Sequence, residues 1–365
     1  MGRQGSFLLF LFVFGVIKCP GQTDSSSVIY SVSGKFGYSS IWTERESLQQ
    51  FVREHPWSVQ LDLGILKNTQ QAWNYCNCYS ENGLSLGYIN FGDPEKLSKA
   101  ITLAGYIEPH LVTRKLFQLS IRATGGLAFL DKVFDHSANP DAIFFSAKTS
   151  FILGLSVNAS WHVTKNWKLI TGVQFNHISN GGRKEPNEGM NLPGANFGLS
   201  YTINPQPLQL KPRESFTSKT ISLVAHGFGN AQVAWASNQG PEEERIVIGT
   251  NIGVIKRLGR IIGVGAGGEY YYSPINEILQ QRSGHTIQNS VGAVNIQSYL
   301  FLGKILLGPQ LAWYVTPNTG FDISIYQRYF FEYEVKRNWY AGVTLKAHGY
   351  LSDYIAFSTG YFLRL

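Results

Sequence analysis

Apolar residues alternate with small or polar residues along most of this sequence, from about Val28 to its last residue. Successive side chains of a β-strand point to opposite faces, so a period of two predicts strands and an all-β fold. The alternation is clearest in three segments: Lys115–Leu130, Arg260–Tyr272 and Ile305–Val315. In the first of them, Phe117 and Leu119 share an apolar face opposite Gln118 and Ser120.

The composition of the second face separates a membrane barrel from a soluble β-sandwich. A sandwich exposes that face to water and carries Lys and Glu there, whereas here it is mostly Gly, Ser, Gln, Asn and Ala. Charged residues make up only 15% of the 365 residues, and 38 residues are glycine. The pattern predicts an antiparallel transmembrane β-barrel, either one barrel of roughly 14–16 strands or an eight-stranded barrel plus a second β half.

The connections between the expected strands fall into two length classes. Short turns lie at 112–115, 164–167, 256–259 and 302–304, and longer polar segments at 131–142, 180–192, 273–286 and 317–338. Short turns at one end and long loops at the other are typical of barrels in the cell outer membrane. A proline-containing break separates a half at 28–204 from a half at 217–365, and we expect the second half to belong to the same barrel.

Residues 1–21 have the features of a secretory signal peptide. Arg3 supplies a positive charge, Phe7–Ile17 is apolar, and a small residue follows at Gly21. Removing Arg3 and Lys18 takes the formal net charge from +7 to about +5, that is 7 minus 2. This mild basic excess favours an anionic membrane surface, and the absence of a basic tract interleaved with aromatic residues excludes nucleic acid as a partner.

Nothing in the sequence calls for a metal or an organic cofactor, although a cation bridging lipid phosphates stays open. Cys76 and Cys78 have one residue between them, which fits no zinc site and predicts either a local disulfide or two free thiols. The eight histidines are scattered and have no metal-ligand spacing.

One segment carries candidate chemistry: His177 and Ser179 lie two residues apart near the end of an expected strand. Side chains at this spacing share a face, so a possible base lies beside a possible nucleophile, on the apolar face that continues from Phe175. The segment then runs Asn180-Gly181-Gly182, whose amide side chain and backbone N–H groups would suit an oxyanion hole. The alternative is that these residues only cap a strand and form a turn.

The segment from His177 to Gly189 resembles the signature of the lipid A 3-O-deacylase (PagL-type) family, which are outer-membrane barrel esterases. The resemblance covers about residues 28–202 and implies that Ser179 is the nucleophile and His177 the general base. It further implies that Asn180 and a backbone N–H near Gly182 stabilise the oxyanion. The matching position for the family's catalytic acid is Asn191.

Because Asn191 carries no charge, the sequence leaves the identity of the acid open. Glu188 is the preferred carboxylate, with Glu185 as the other choice, and Asn191 is the residue at the matching position. Arg183 and Lys184 are candidate contacts for the phosphates of lipid A, and Asn187 is grouped with them as a substrate contact.

We therefore expect a serine esterase that removes an ester-linked acyl chain from lipid A, its lipopolysaccharide partner in the outer leaflet, at a site on the lipid-facing wall. The alternative is a non-enzymatic barrel, either a porin-like channel or a structural protein, because the second half adds strands without a visible site. The sequence leaves open whether the protein forms a homo-oligomer.

Overall fold

The computed structural model describes residues 28–43, 46–208, 221–234, 240–321, 323–349 and 351–365. The expected signal peptide at 1–21 lies outside these residues. The first eight strands are β1 (Val28–Ser39), β2 (Trp57–Lys67), β3 (Tyr79–Asn90), β4 (Lys99–Thr113), β5 (Phe117–Leu130), β6 (Thr149–His162), β7 (Trp167–Ser179) and β8 (Met190–Thr202). The others are β9 (Ile221–Ala234), β10 (Glu243–Arg257), β11 (Ile262–Tyr272), β12 (Ser290–Leu302), β13 (Ile305–Tyr314), β14 (Ile325–Lys336), β15 (Trp339–His348) and β16 (Leu351–Arg364). The short helical segments are the 3-10 helix Glu46–Phe51, α1 (Gln70–Cys76) and α2 (Ile275–Ser283).

The strands form two closed antiparallel barrels of eight strands each. In the first barrel β8 pairs with β1, with Leu199 opposite Gly34. In the second barrel β16 pairs with β9, with Phe362 opposite Val224. The all-β barrel prediction is confirmed, but the expectation that both halves share one barrel is wrong, because β8 closes onto β1 instead of continuing into β9.

Alternation along the strands gives each barrel an apolar outer wall. On β2, the side chains of Val59, Leu61 and Leu63 are each about half exposed, whereas Asp62 between them is 1% exposed. The same contrast recurs in the second barrel, where Ile252 and Val254 are exposed and Asn251 is buried. Apolar side chains therefore point outward and polar ones inward, as a barrel in a membrane requires.

Buried ion pairs fill the two interiors. In the first barrel, Arg122 donates to both oxygens of Asp62 at 2.7 and 2.9 Å, and Lys35 lies 3.2 Å from the same carboxylate. In the second barrel, Arg328 donates to both oxygens of Glu269 at 2.6 and 2.7 Å. An eight-stranded barrel is only wide enough for its own side chains, and these pairs occupy that space.

The long connections of the first barrel cover one end of it, which we call the loop end. The side chains of Leu48, Phe51, Phe91, Phe144 and Phe145 pack together there and are at most 2% exposed. Their burial holds the loops that follow β5 and β7 in fixed positions.

Two further expectations concern the connections between strands. Residues 317–338 were expected to form one long loop, but β14 occupies most of that range because Ile325–Lys336 pairs with β13 and β15. Cys76 and Cys78 form a disulfide with an S–S distance of 1.99 Å, which is one of the two alternatives for these cysteines. Among the described residues, no helix has the length and apolar character needed to cross a membrane.

Candidate functional site

His177 and Ser179 lie at the loop end of β7, on the same face of the strand. Counting back by twos from Ser179 reaches Phe175 and Val173, which are 38% and 64% exposed. The pair therefore continues the outer face of the first barrel. Ser179 itself is only 6% exposed, because the loop that follows β7 folds back over it.

The structure brings His177 and Asn191 together across the β7–β8 pair. The two residues are directly opposite in the strand register, and Nδ1 of His177 lies 2.7 Å from Oδ1 of Asn191. An amide oxygen only accepts hydrogen bonds, so the ring hydrogen is on Nδ1 in this arrangement. Nε2 is then the unprotonated nitrogen, which is the one that can take up a proton.

Two donors point at the hydroxyl oxygen of Ser179. The backbone N–H of Gly181 donates to it at 3.1 Å, and the side-chain Nδ2 of Asn187 donates at 2.9 Å. A hydroxyl has two acceptor positions and one proton to donate, so both acceptor positions are occupied and the proton is free to be given away. Within the described part of the chain, Ser179 makes no hydrogen bond to His177.

Asn180 has a different set of contacts from those expected of an oxyanion donor. Its Nδ2 donates to the hydroxyl of Ser146 at 3.1 Å and to the carbonyl of Lys184 at 2.7 Å. Its Oδ1 accepts the backbone N–H of Arg183 at 3.0 Å. The Asn180 side chain thus ties the loop after β7 to the loop after β5, and neither of its amide protons points at Ser179.

Sequence reasoning missed Ser146 and Trp42. Ser146 is 1% exposed and its hydroxyl donates to the carbonyl of Lys184, so it holds the loop that carries Asn187. Trp42 is 56% exposed and its backbone N–H donates to the carbonyl of Asn191 at 2.9 Å. Neither residue has a motif of its own, because both act through loop contacts that link distant parts of the chain.

Nδ1 of His177 is bonded to Asn191, and the carboxylate of Glu185 has a different partner. Glu185 is exposed and its Oε2 accepts the backbone N–H of Asn187 at 2.9 Å. The backbone N–H of Glu188 donates to the carbonyl of Ile143 at 3.2 Å, which fixes the loop beside the β5–β6 connection. The position that faces the imidazole is thus filled by Asn191, and the assignment of a carboxylate to it stays a prediction.

Arg183 and Lys184 extend from the loop with exposed side chains. Neither forms an ion pair within the described ranges, so both cations are available to an external anion. In the same ranges, no group of three or more His, Cys, Asp or Glu residues is arranged to hold a metal ion.

Gly189 packs directly against the imidazole of His177. A Cβ atom on Gly189 would lie 2.9 Å from Cε1 and 3.3 Å from Nε2 of His177, and Gly189 has a φ of +65°. Glycine is therefore required here both by the left-handed backbone and by the close approach of the ring.

If His177 is the general base that the family resemblance implies, Gly189→Ala is expected to lower the rate of ester hydrolysis about 10²-fold, since a displacement of a catalytic group by about 1 Å has effects of that size. The measurement is kcat on an ester substrate with the folded full chain in detergent. Gly284→Ala is the matched control, because Gly284 has a φ of +72° and open space around it. Equal activity in wild type and Gly189→Ala would contradict the predicted role of His177 as the general base.

Two family models match the chain in order, one for each barrel. The model described as lipid A 3-O-deacylase (PagL) matches residues 39–200, and the model described as acyloxyacyl hydrolase, C-terminal domain, matches residues 219–365. A chain of two β-barrels that matches these two models falls in the class of membrane-embedded ester hydrolases. The chain belongs to the lipid A 3-O-deacylase (PagL) family and is an outer-membrane protein.

No curated protein matches the sequence. Among solved structures, Neisserial surface protein A is 13% identical, with 48% of this chain and 97% of that chain covered and a TM-score of 0.32. A mutant of the Rh. blastica porin is 9% identical, with 92% of this chain and 100% of that chain covered and a TM-score of 0.22. Scores this low do not bear on function.

Proposed function

We propose that the protein is a serine esterase that removes an ester-linked acyl chain from lipid A at Ser179 and His177, on the lipid-facing wall of the first barrel. The observation that carries the proposal is the outward register of the two residues, next to the exposed Val173 and Phe175. A hydrolytic pair at this position meets lipid, because the outer wall of a membrane barrel contacts the bilayer. The family match supplies the class of lipid.

The proposed reaction uses the unprotonated Nε2 of His177 and the hydroxyl proton of Ser179. The Ser179 oxygen attacks the ester carbonyl carbon while Nε2 of His177 takes the hydroxyl proton. The C–O bond to the sugar breaks, and His177 returns the proton to the departing sugar oxygen. Water then attacks the acyl-enzyme with His177 as base, which releases the fatty acid and restores Ser179. Asn191 holds the ring in the tautomer that this sequence needs, as an Asn does in Cys–His–Asn enzymes.

Asn187 and Gly181 are better placed than the Asn180 side chain to stabilise the oxyanion. Both donate to the Ser179 oxygen in the substrate-free protein, at 2.9 and 3.1 Å. When a lone pair of that oxygen attacks the ester, the two donors pass to the neighbouring carbonyl oxygen, where the negative charge develops. Asn180 keeps a positioning role, because its hydrogen bonds to Ser146 and Lys184 hold the loop that carries Asn187.

Arg183 and Lys184 fit the substrate class. Lipid A carries phosphate groups at the membrane surface, and two exposed cations within a few residues of Ser179 would pair with them. The positioning of the phosphates would then help to bring an ester bond to the serine.

A porin-like channel is less well supported than an esterase. The Arg122–Asp62 and Arg328–Glu269 pairs cross the interiors of the two barrels. A pore of useful width needs a barrel with more strands than eight, or an interior without such pairs.

The experiment that tests the proposal is mass spectrometry of lipid A from cells that express the wild-type chain or Ser179→Ala. Wild type is expected to remove one acyl chain, and Ser179→Ala none, because the variant lacks the attacking oxygen. Ser298→Ala, an outward serine on β12, is the matched control and is expected to behave as wild type. Identical lipid A with wild type and Ser179→Ala, both folded in the outer membrane, would disprove the proposal.

A further inference from the structure

The loop that follows Ser179 in the first barrel touches β16 of the second barrel. Gly181 and Gly182 form the contact, with φ values of +69° and +77°. A Cβ atom on Gly181 would overlap the Ile355 side chain, and one on Gly182 would lie 2.5 Å from the backbone carbonyl of Asp353. The second barrel thus contacts the loop at Gly181, two residues after the proposed nucleophile Ser179.

The part of β16 that makes this contact is shaped by a β-bulge. Lys346 of β15 is opposite Tyr354, but Ala347 is opposite Ser352, so Asp353 is an extra residue without a partner in β15. Bulges bend a strand and redirect its side chains, and they are frequent next to active sites.

Side chains in the second barrel's interior hold the bulge in place. The carboxylate of Asp353 lies 2.5 Å from Nζ of Lys346 and 2.9 Å from Nδ1 of His348. Lys346 and Asp353 are 2% and 9% exposed at their side chains. The bulge is therefore anchored from inside the barrel, and its outward surface against Gly182 is fixed.

The outer walls of the two barrels lead away from this contact in the same direction. β7 runs toward the loop end, so its outward residues Phe175 and Val173 lie progressively further from that end than Ser179. β16 runs away from the contact, so Phe357 follows Ile355 on its outer face, and Phe357 is 66% exposed. Two apolar walls thus run from Ser179 away from the loop end.

We propose that the acyl chain to be cleaved lies in the seam between β7 and β16, with Ile355 and Phe357 as residues that determine the acyl-chain length. This inference rests on the proposed function. The ester carbonyl is at Ser179, at the level of the lipid headgroups, and the acyl chain extends down the membrane along the two walls. The second barrel then has a part in the reaction: it forms one side of the acyl-chain site.

The test compares two substrates, p-nitrophenyl butyrate and p-nitrophenyl myristate, with the folded full chain in detergent micelles. The quantity measured is the ratio of kcat/KM for the long ester to kcat/KM for the short ester. Phe357→Ala is expected to lower this ratio about tenfold, the scale on which a pocket discriminates chain lengths. Phe331→Ala is the matched control, because Phe331 is an exposed outward phenylalanine of the second barrel on β14.

Ile355→Trp is a second, independent variant. The larger ring fills the top of the seam, so the long ester is excluded more strongly than the short one, and the ratio falls as it does in Phe357→Ala. Heat-modifiable gel mobility establishes that each variant is folded. If both folded variants keep the wild-type ratio while wild type cleaves the esters, the seam is not the acyl site. If wild type cleaves neither ester nor lipid A, the proposed function fails and the seam inference falls with it.

Discussion

His177→Ala is expected to lower kcat for ester hydrolysis by about 10³-fold or more, and adding Ser179→Ala to it is expected to change the rate little further. Nucleophile and base of such a pair act as one unit, so losing either member removes most of what both provide. The measurement is kcat for the two single variants and the double variant under saturating substrate. Independent contributions, in which the two losses multiply, would contradict a shared proton transfer from Ser179 to His177.

Asn191 provides a graded comparison for this prediction. Its side-chain Oδ1 lies 2.7 Å from Nδ1 of His177, so the Asn191 side chain acts through the ring and not on the ester. Asn191→Ala is expected to cost less than His177→Ala, and Asn191→Asp to exceed wild type, because a carboxylate stabilises the imidazolium that forms. His162→Ala, at the other end of the neighbouring strand β6, controls for the loss of an imidazole from the same barrel.

The strands were predictable from the sequence because their signal is local. Whether Phe117 and Leu119 share a face depends only on their spacing, and the structure has a strand there. The number of barrels was not predictable in the same way. One barrel or two would give most strands the same neighbours, and the solutions differ only at β1, β8, β9 and β16. The pairing of Leu199 with Gly34 joins strands at the two ends of the first half, and neither strand has a sequence feature that predicts it.

The site was predictable in part, and for the same reason. His177 and Ser179 are two residues apart on one strand, so their shared face follows from the strand itself. Asn191 lies on the next strand and was reached only through the family resemblance. The donors around Ser179 depend on the path of the loop: Asn180 bonds to Ser146 and Lys184, and Asn187 turns toward the hydroxyl instead. No residue spacing encodes that path.

Replacing Arg328 with leucine is expected to lower the free energy of unfolding of the second barrel by about 3–5 kcal/mol. Arg328 and Glu269 are both fully buried, and Arg328 donates to both carboxylate oxygens. The substitution leaves the Glu269 carboxylate in the interior with the hydroxyl of Tyr326 as a remaining donor, at 2.9 Å. An unpaired buried charge costs far more than a missing surface pair, so this position should dominate the stability of the barrel.

The measurement is the urea midpoint of folded protein in micelles, followed by heat-modifiable mobility. The double variant Arg328→Leu with Glu269→Leu is expected to regain most of the loss, because it removes the stranded charge together with its partner. Arg245→Leu is the control: its pair with Glu243 spans 2.9 Å between half-exposed side chains, and its loss is expected to cost under about 1 kcal/mol. A midpoint for Arg328→Leu equal to that of the control would mean that the interior pair does not hold the second barrel together.

If the second barrel does form one side of the acyl-chain site, Arg328→Leu should also shift the ratio of long-ester to short-ester hydrolysis before the first barrel unfolds.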